Sequence, residues 1–415
     1  EQATRDIVRS AFQSAGQRCS ALRVLYAQKD VAPKLEEMLC GAMDTLVVGD
    51  PWSLSTDVAP VIDRAAHDDI RRYIATKCSK NEIVKSLPVP ETGLFIPPTI
   101  VRVAGIQDVS REVFGPVLHV AVFDSTEIED VVANVNAKGF GLTFGLHSRI
   151  DSRVQRVLDR IEVGNAYVNR DQIGAIVGSQ PFGGHGLSGT GPKAGGPHYL
   201  GRFKAGPDHR APVHTGAIRK QEEVQQALAP LDASVWRIAP DRIARLRTAL
   251  RGRSAEAIAA AAALDFGPID LPGPTGEANQ LELHARGRVF CLGPDRATLL
   301  AQTVQALAAG NAVLAVAPGA EDALRPLLRN GFPLAALEGV VAPAALGSAT
   351  IDLVAFRGER SALQPIRKAL AARSGPIVPI VTEVLAPAAY ATERTICVDT
   401  TAAGGNASLL AQAEA

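Results

Sequence analysis

The sequence predicts an α/β fold, and three observations indicate it. Helical and apolar strand-like segments alternate from residue 1 to about residue 205. A second alternation begins near Leu283, with a strand over 287–292, a helix over 297–309 and a strand over 312–316. This order makes a βαβ unit, whose strands are parallel, so we expect a Rossmann-like sheet in the second module.

The first module opens with a predicted helix over residues 3–15, because apolar residues recur at helical spacing from Ile7 to Ala15. Gly16 is a natural stop for that helix, and a half-buried strand follows over 22–26. The module's remaining predicted elements are strands over 45–48, 99–103, 117–123 and 166–169, and helices over 31–43, 58–77 and 126–137.

Beyond the first module, proline and glycine mark a linker near 206–216, and alanine, leucine and arginine predict helix over 219–263. After the βαβ unit, a strand over 351–356, a helix over 361–372 and a strand over 377–381 continue the pattern. The predicted domains are a catalytic domain over 1–205, a linker and helical segment over 206–282, a Rossmann-like domain over 283–394 and a docking tail over 395–415.

Composition restricts the class of protein. The chain has 415 residues, 47% of them hydrophobic, which is enough for two or three cores. Basic and acidic residues number 43 each, so no charge surplus favours a nucleic-acid or membrane-surface partner, and we expect a small-molecule substrate. The longest apolar runs are far below the roughly 18 residues of a transmembrane helix. No signal peptide is visible.

The cysteines predict a reducing, cytoplasmic location. They are far apart and lack CxxC spacing, so we expect neither structural disulfides nor a metal site. The five are Cys19, Cys40, Cys78, Cys291 and Cys397.

Cys19 is the first candidate for catalysis. It lies between a predicted helix and a predicted strand, beside Arg18 and small residues. A thiolate is the nucleophilic form of cysteine, and a nearby cation and turn amides would favour both the thiolate and the oxyanion that its attack creates. Judged on these residues alone, a buried structural cysteine remains an open alternative.

A second candidate site is the glycine-rich segment between Ser179 and Pro197. Glycine lets backbone amides approach a ligand closely, and such amides bind anions. From the composition alone, an anion-binding loop and an ordinary surface loop are both open.

Five segments of the first module together resemble the aldehyde dehydrogenase superfamily. They are most similar to the glutamate-semialdehyde (pyrroline-carboxylate) dehydrogenase module of bifunctional enzymes of bacterial proline catabolism. The segments are Gly16-Gln17-Arg18-Cys19-Ser20-Ala21, Arg111-Glu112-Val113-Phe114-Gly115-Pro116-Val117, Gly164-Asn165-Ala166-Tyr167-Val168-Asn169-Arg170, Gln180-Pro181-Phe182-Gly183-Gly184 and Leu187-Ser188-Gly189-Thr190-Gly191-Pro192-Lys193.

The resemblance implies a role for each matching residue. Cys19 is the expected nucleophile in the NAD-dependent oxidation of L-glutamate γ-semialdehyde to L-glutamate. Glu112 and Phe114 are expected to contact the nicotinamide ribose of NAD. The residues expected to bind substrate are Arg18, Ser20, Phe182, Ser188 and Gly189. His185 stands where the group has an acidic residue, and the resemblance gives it no role.

The resemblance also implies what is missing. In the family, the general base, an oxyanion asparagine and most of the NAD-binding fold precede the nucleophile, and a flavin-containing proline dehydrogenase domain, with its FAD, precedes these. The chain starts inside a predicted helix, so we expect a fragment that is inactive alone and whose partners are those missing domains. Whether the parent carries a DNA-binding N-terminus stays open.

The second module resembles the cofactor half of the same family, with Ala308-Ala309-Gly310-Asn311-Ala312-Val313 at its helix-to-strand junction and Glu383 at the base position. It lacks the family's lysine after Val316, and Val384-Leu385 replace two glycines. We therefore interpret it as the non-catalytic domain of long members, which would cover the substrate tunnel.

Two further functions stay open. One is a purely structural, tunnel-covering role, and the other is a general aldehyde dehydrogenase.

Overall fold

The computed structural model describes residues 1–189, 191–203 and 216–401, with only the backbone of Arg202. These residues form two compact units. The first comprises 1–179, 272–279 and the chain from Ile396, and the second comprises 180–271 and 280–395. The two units do not begin and end at the predicted domain boundaries, and those boundaries remain predictions. Most of the predicted docking tail, including its glycine pair at 404–405, lies outside the described residues.

The first unit contains a four-stranded sheet with α-helices packed against it. Its described helices are α1 Gln2–Phe12, α2 Ala32–Met43, α3 Arg64–Ser79, α4 Ile128–Ala137 and α5 Asp151–Leu158. Its strands are β1 Val24–Gln28, β2 Ile83–Ser86, β3 Thr99–Arg102, β4 Val117–Phe123, β5 Phe140–Gly141, β6 Thr143–Leu146 and β7 Asn165–Val168.

The four-stranded sheet has the order β1-β4-β3-β2. The strands β1, β4 and β3 are parallel, and β2 is an antiparallel edge. The central strand β4 begins with five buried residues, as expected where helices cover both faces of a parallel sheet. The helices α1 and α2 contribute Phe12 and Met43 to a core that includes Ile100 and Leu118.

The second unit is built around a five-stranded parallel sheet. The strands of this unit, including those outside that sheet, are β8 His185–Gly186, β9 Ile218–Arg219, β10 Ile269–Leu271, β11 Glu277–Ala285, β12 Arg288–Cys291, β13 Ala312–Val316, β14 Leu334–Leu337, β15 Val340–Val341, β16 Leu353–Ala355, β17 Ile380–Val381 and β18 Ala391–Asp399. Its described helices are α6 Gln221–Leu228, α7 Arg242–Leu250, α8 Ala255–Ala262, α9 Arg296–Ala308, α10 Ala320–Leu328, α11 Pro343–Ser348 and α12 Arg360–Ala371.

The five-stranded sheet has the order β14-β13-β12-β16-β17, and each adjacent pair is parallel. The predicted α/β class and the Rossmann-like sheet are therefore confirmed. Two cores cover its faces: one includes Trp236, Leu299 and Tyr390, and the other includes Phe290 and Leu346. The strands β11 and β18 are each shared between the units, and their residues 277–279 and 396–399 belong to the first unit.

Two predicted elements differ from the structure. Thr45 to Val48 form no strand, because Val47 instead exchanges hydrogen bonds with Asp57 and Val58 across a loop. The helical segment 219–263 is three helices rather than one, α6, α7 and α8.

A third difference is a helix start. The helix predicted from residue 58 begins at Arg64, where the Asp63 carboxylate accepts the Ala66 N–H at 2.8 Å.

Candidate active site

The Cys19 turn begins where α1 ends. The helix stops at Phe12, not at Ala15 as predicted, and a 3-10 turn follows over Gln13–Gly16. Ser14, Ala15 and Gly16 all have positive φ, at 56°, 53° and 64°. A right-handed helix cannot continue through left-handed residues, so the chain reverses here and leaves Cys19 exposed.

Gly16 brings this turn against the segment that carries Glu112 and Phe114. A Cβ atom at Gly16 would lie 2.2 Å from the Gly115 carbonyl oxygen. Any side chain would therefore separate the two segments, and the positive φ adds to the requirement for glycine.

Arg23, the residue just before β1, joins the same two segments by hydrogen bonds. Its Nη1 donates to the carbonyl oxygens of Gly16 at 2.6 Å and Gly115 at 3.3 Å. Its Nη2 donates to the Arg18 carbonyl at 3.1 Å, and its Nε donates to Glu112 Oε1 at 3.1 Å. One guanidinium thus connects the turn that carries Cys19 to the carboxylate predicted to bind cofactor.

The charge of Arg23 is largely shielded from solvent. Burial lowers its pKa, while Glu112 and, to a smaller extent, Cys19 oppose that shift. The guanidinium also lies 4.7 Å from the centre of the Phe114 ring. Sequence reasoning missed Arg23, although an arginine inside a predicted half-buried strand is a signal, since a buried charge needs partners.

Glu112 and Phe114 remain accessible to a ligand. The Glu112 side chain is 56% exposed, and Phe114 is 44% exposed although it is a large apolar residue. A carboxylate that can accept hydroxyl hydrogen bonds beside an open aromatic face suits a ribose.

The two neighbours of Cys19 differ in exposure. The Arg18 side chain is partly exposed, and its Nε donates to Ser14 Oγ at 3.0 Å. Ser20 is 5% exposed, and its carbonyl accepts a hydrogen bond from Gln172 Nε2 at 3.1 Å. The buried Ser20 thus attaches the turn to the interior through Gln172, while Cys19 is exposed.

Phe182, Ser188 and Gly189 lie in the second unit. Phe182 and Ala194 exchange backbone hydrogen bonds of 3.0 and 2.9 Å, which close a loop over the residues between them. The loop is compact, because a Cβ at Gly184 would lie 2.3 Å from the Ser188 carbonyl oxygen. Backbone approaches of this kind are what the glycine content allows.

The surroundings of His185 and Glu383 differ. Burial raises the pKa of Asp352, and His185 lies near enough to oppose that rise in part. Glu383 is exposed, and its carboxylate accepts the N–H of the adjacent Thr382 at 3.0 Å.

Carboxylates occupy the N-termini of α9 and α10, which follow β12 and β13 at the carboxyl edge of the five-stranded sheet, where open α/β sheets bind phosphates. At α9, Asp295 Oδ1 accepts the N–H groups of Ala297 at 3.0 Å and Thr298 at 2.9 Å. At α10, the Glu338 carboxylate accepts the N–H groups of Gly319 at 2.5 Å and Glu321 at 3.0 Å.

Other kinds of site find less support in the part of the chain that is described. No cluster of three histidine, cysteine or acidic side chains there could hold a metal ion. None of its helices has the length and apolar character to cross a bilayer. A cavity of about 650 Å³ lies beside α1 and α2, and Cys19 is not among the residues that line it.

Comparison with known proteins gives the class. Residues 1–205 match the aldehyde dehydrogenase family, and this part of the chain is a domain of that family. Over 205 residues the chain is 37% identical to a 1-pyrroline-5-carboxylate dehydrogenase of Bacillus cytotoxicus, covering 48% of this chain and 39% of the relative.

The chain is also a homologue of the bifunctional protein PutA. It is 40% identical to PutA of Salmonella typhimurium over 436 residues, covering 99% of this chain and 32% of the relative, so it spans about a third of that protein. Proline utilization A of Corynebacterium freiburgense shares the fold, with a TM-score of 0.65 at 24% identity over 96% of this chain and 37% of that one.

Proposed function

We propose that this chain belongs to an NAD-dependent dehydrogenase that oxidises L-glutamate γ-semialdehyde to L-glutamate in proline catabolism, with Cys19 as the nucleophile. The observation that carries the proposal is the Arg23 hydrogen-bond set, which joins the exposed Cys19 turn to Glu112. The PutA and 1-pyrroline-5-carboxylate dehydrogenase relatives support the substrate class. The cytoplasmic location stays a prediction.

The proposed reaction has two covalent stages on Cys19. The thiolate forms a C–S bond to the aldehyde carbon, the carbonyl electron pair moves to oxygen, and turn amides and other donors stabilise that oxyanion. Loss of hydride restores the C=O bond and leaves a thioester. Water then adds to the thioester, the C–S bond breaks, and the products are the carboxylate, two protons and the regenerated thiolate.

NAD⁺, when bound, accepts the hydride that leaves the thiohemiacetal carbon. We assign its nicotinamide ribose to Glu112 and Phe114, whose exposure fits this role. Arg23 donates to the Glu112 carboxylate and would thereby restrict its position for a hydrogen bond with the ribose hydroxyls.

The substrate's α-carboxylate is assigned to Ser188, Gly189 and Ser20, its aliphatic chain to Phe182, and Arg18 to the same anionic end. The N–H groups of Ser188 and Gly189 donate to the carbonyls of His185 at 3.0 Å and Gly186 at 3.1 Å, so they would exchange these turn hydrogen bonds for the carboxylate when substrate binds. Ser20 is buried and Arg18 contacts Ser14, so the side chains of Ser20 and Arg18 would have to move when substrate binds to make the proposed contacts.

The remaining parts of the active site are assigned to the rest of a longer parent chain. The chain spans 32% of its PutA relative, so a general base, the oxyanion asparagine, most of the NAD fold and a flavin-containing proline dehydrogenase domain have room there. The 415 residues alone are expected to be inactive.

For the Rossmann-like part of the second unit, residues 283–394, we propose a non-catalytic role as a cover of the substrate tunnel. The carboxylates of Asp295 and Glu338 already neutralise the helix N-termini that would receive a dinucleotide's phosphates. Glu383 is therefore not assigned the role of general base.

Cys19→Ala in the full-length protein is the direct test. We expect aldehyde oxidation to be lost while NAD binding, measured by calorimetry, stays unchanged. Cys78→Ala is the matched control, since Cys78 is also an exposed free thiol. Appreciable turnover by Cys19→Ala would sink the assignment of the nucleophile.

Substrate preference separates this proposal from a general aldehyde dehydrogenase. The intact enzyme should show a higher kcat/KM for glutamate semialdehyde than for propanal, which lacks the carboxylate. Equal values would favour the general enzyme instead.

A further inference from the structure

We propose that Glu393 and Thr395 of β18 are positioning residues for the glycine-rich loop, and that through the loop they set the affinity for the carboxylate end of the aldehyde substrate. The inference rests on the proposed function, because that function assigns the substrate carboxylate to this loop. The loop is defined here as residues 181–189 and 191–198. Both β18 residues and the loop belong to the second unit.

Glu393 holds the C-terminal limb of the loop. Its side chain is 6% exposed. One carboxylate oxygen accepts the Lys193 backbone N–H at 2.6 Å, and the other lies 2.8 Å from His198 Nδ1. A buried carboxylate is stable only with such partners, so removal of its charge disturbs both contacts.

Thr395 holds the N-terminal limb. Its hydroxyl donates to the Pro181 carbonyl at 2.7 Å, and the residue is 1% exposed. Residues two apart on a strand share a face, so Glu393 and Thr395 present adjacent side chains from β18. One face of a single strand therefore contacts both limbs of the loop.

Contacts inside the loop carry this restraint toward its tip. Lys193 Nζ donates to the Gly183 carbonyl at 2.6 Å, and a Cβ at Gly183 would lie 3.3 Å from Lys193 Cγ. The neighbouring Phe182 and Ala194 are joined by two backbone hydrogen bonds. Displacement of Lys193 would thus move Phe182 and Gly183, and these lead directly into the compact turn at Ser188.

The opposite face of β18 supplies a control. Arg394 lies between Glu393 and Thr395 in sequence, but its Nε and Nη2 donate to Glu282 Oε2 at 3.0 and 2.7 Å. Arg394→Gln therefore changes a buried charged group of the same strand whose hydrogen bonds to Glu282 are separate from the Glu393 and Thr395 contacts.

The test compares Glu393→Gln, Thr395→Val, Thr395→Ser and Arg394→Gln in the full-length enzyme. Steady-state kinetics are measured with glutamate semialdehyde and with propanal, and the KM for NAD is recorded for each. We expect Glu393→Gln and Thr395→Val to raise the KM for the semialdehyde by about tenfold, the effect of a lost hydrogen bond to a buried group. The KM for propanal, whose chain also meets Phe182 but which has no carboxylate, should rise much less than the KM for the semialdehyde. The KM for NAD should be unchanged, and Thr395→Ser should retain wild-type kinetics.

The inference alone would be overturned by an equal loss of kcat/KM for both aldehydes, which indicates general unfolding, or by unchanged kinetics in both Glu393→Gln and Thr395→Val. An effect of Arg394→Gln as large as that of Glu393→Gln would do the same. A wild-type enzyme without preference for the semialdehyde would instead overturn the proposed function, and this inference with it.

Discussion

A guanidinium carries five N–H donors in one plane, and Arg23 uses that plane to contact Glu112 and three backbone carbonyls. The carbonyls of Gly16 and Arg18 belong to the Cys19 turn, and the carbonyl of Gly115 belongs to the segment that carries Glu112. The position of Cys19 relative to Glu112 therefore depends on one side chain that contacts neither substrate nor cofactor in the proposal.

Arg23→Lys tests this dependence. Lysine keeps the charge, but its three donors leave from one nitrogen and cannot reach four separated acceptors. We expect kcat in the full-length enzyme to fall by up to about 100-fold, the scale of a small misplacement of reacting groups. The measurement is steady-state turnover, together with mass-spectrometric rates of Cys19 alkylation.

Arg111→Lys is the control for this experiment. Arg111 lies in the same segment as Glu112 and pairs with Asp69 at 2.8 Å, with about half of its side chain exposed. Exposed ion pairs contribute little, so this variant should keep its activity. If the two lysine variants behave alike, Arg23 has no special positioning role.

The sequence predicted Cys19 and its turn from local patterns, because a helix, a glycine and a strand follow one another there. It could not predict the role of Arg23, whose acceptors at Glu112 and Gly115 are about 90 residues away. Nor could it predict the left-handed Ser14 and Ala15, since neither residue type prefers that conformation.

At the scale of elements, the glycine-rich loop encloses a buried amine. Lys193 is 2% exposed, and burial lowers its pKa to about 7, against an opposing effect of Glu393. The folded unit therefore binds fewer protons than the unfolded chain between about pH 7 and the ordinary lysine pKa of about 10.4. Stability contributed by this group rises with pH across that window and is lowest below it.

Lys193→Met checks the sign. Relative to this variant, the wild-type chain should gain thermal stability between pH 7 and pH 10, as measured by unfolding midpoints in matched buffers. Lys220→Met is the control, because Lys220 is exposed in the same unit. A wild-type midpoint that falls against Lys193→Met over this range contradicts a depressed lysine pKa.

Elements with strong periodicity were predictable and others were not. The central strand β4 matches its predicted range of 117–123, because a continuous apolar run is typical of a buried parallel strand. Thr45 to Val48 also form an apolar run, yet they lie in a loop, since Asp57 and Val58 supply the backbone partners. Such partners depend on tertiary contacts rather than on local pattern.

At the scale of the whole molecule, the two units differ in the groups that they offer to a nucleotide. The first unit presents an open carboxylate and aromatic ring at Glu112 and Phe114, whereas the second has carboxylates at its helix N-termini. We therefore expect the second unit not to bind NAD.

A calorimetric titration of the 415-residue chain with NAD checks this expectation. No tight binding should be seen, and Glu338→Gln should lower thermal stability without creating a site. NAD binding with micromolar or better affinity that Glu338→Gln alters in either direction would contradict it, because such sensitivity would place the ligand in the second unit.

The carboxylates at α9 and α10 have a consequence for the stability of the second unit. In a dinucleotide-binding fold whose helix N-termini bind phosphate, the bound ligand contributes part of the stability of the folded state. Asp295 and Glu338 supply that negative charge within the polypeptide itself. We therefore expect the stability of this unit not to depend on the presence of a nucleotide.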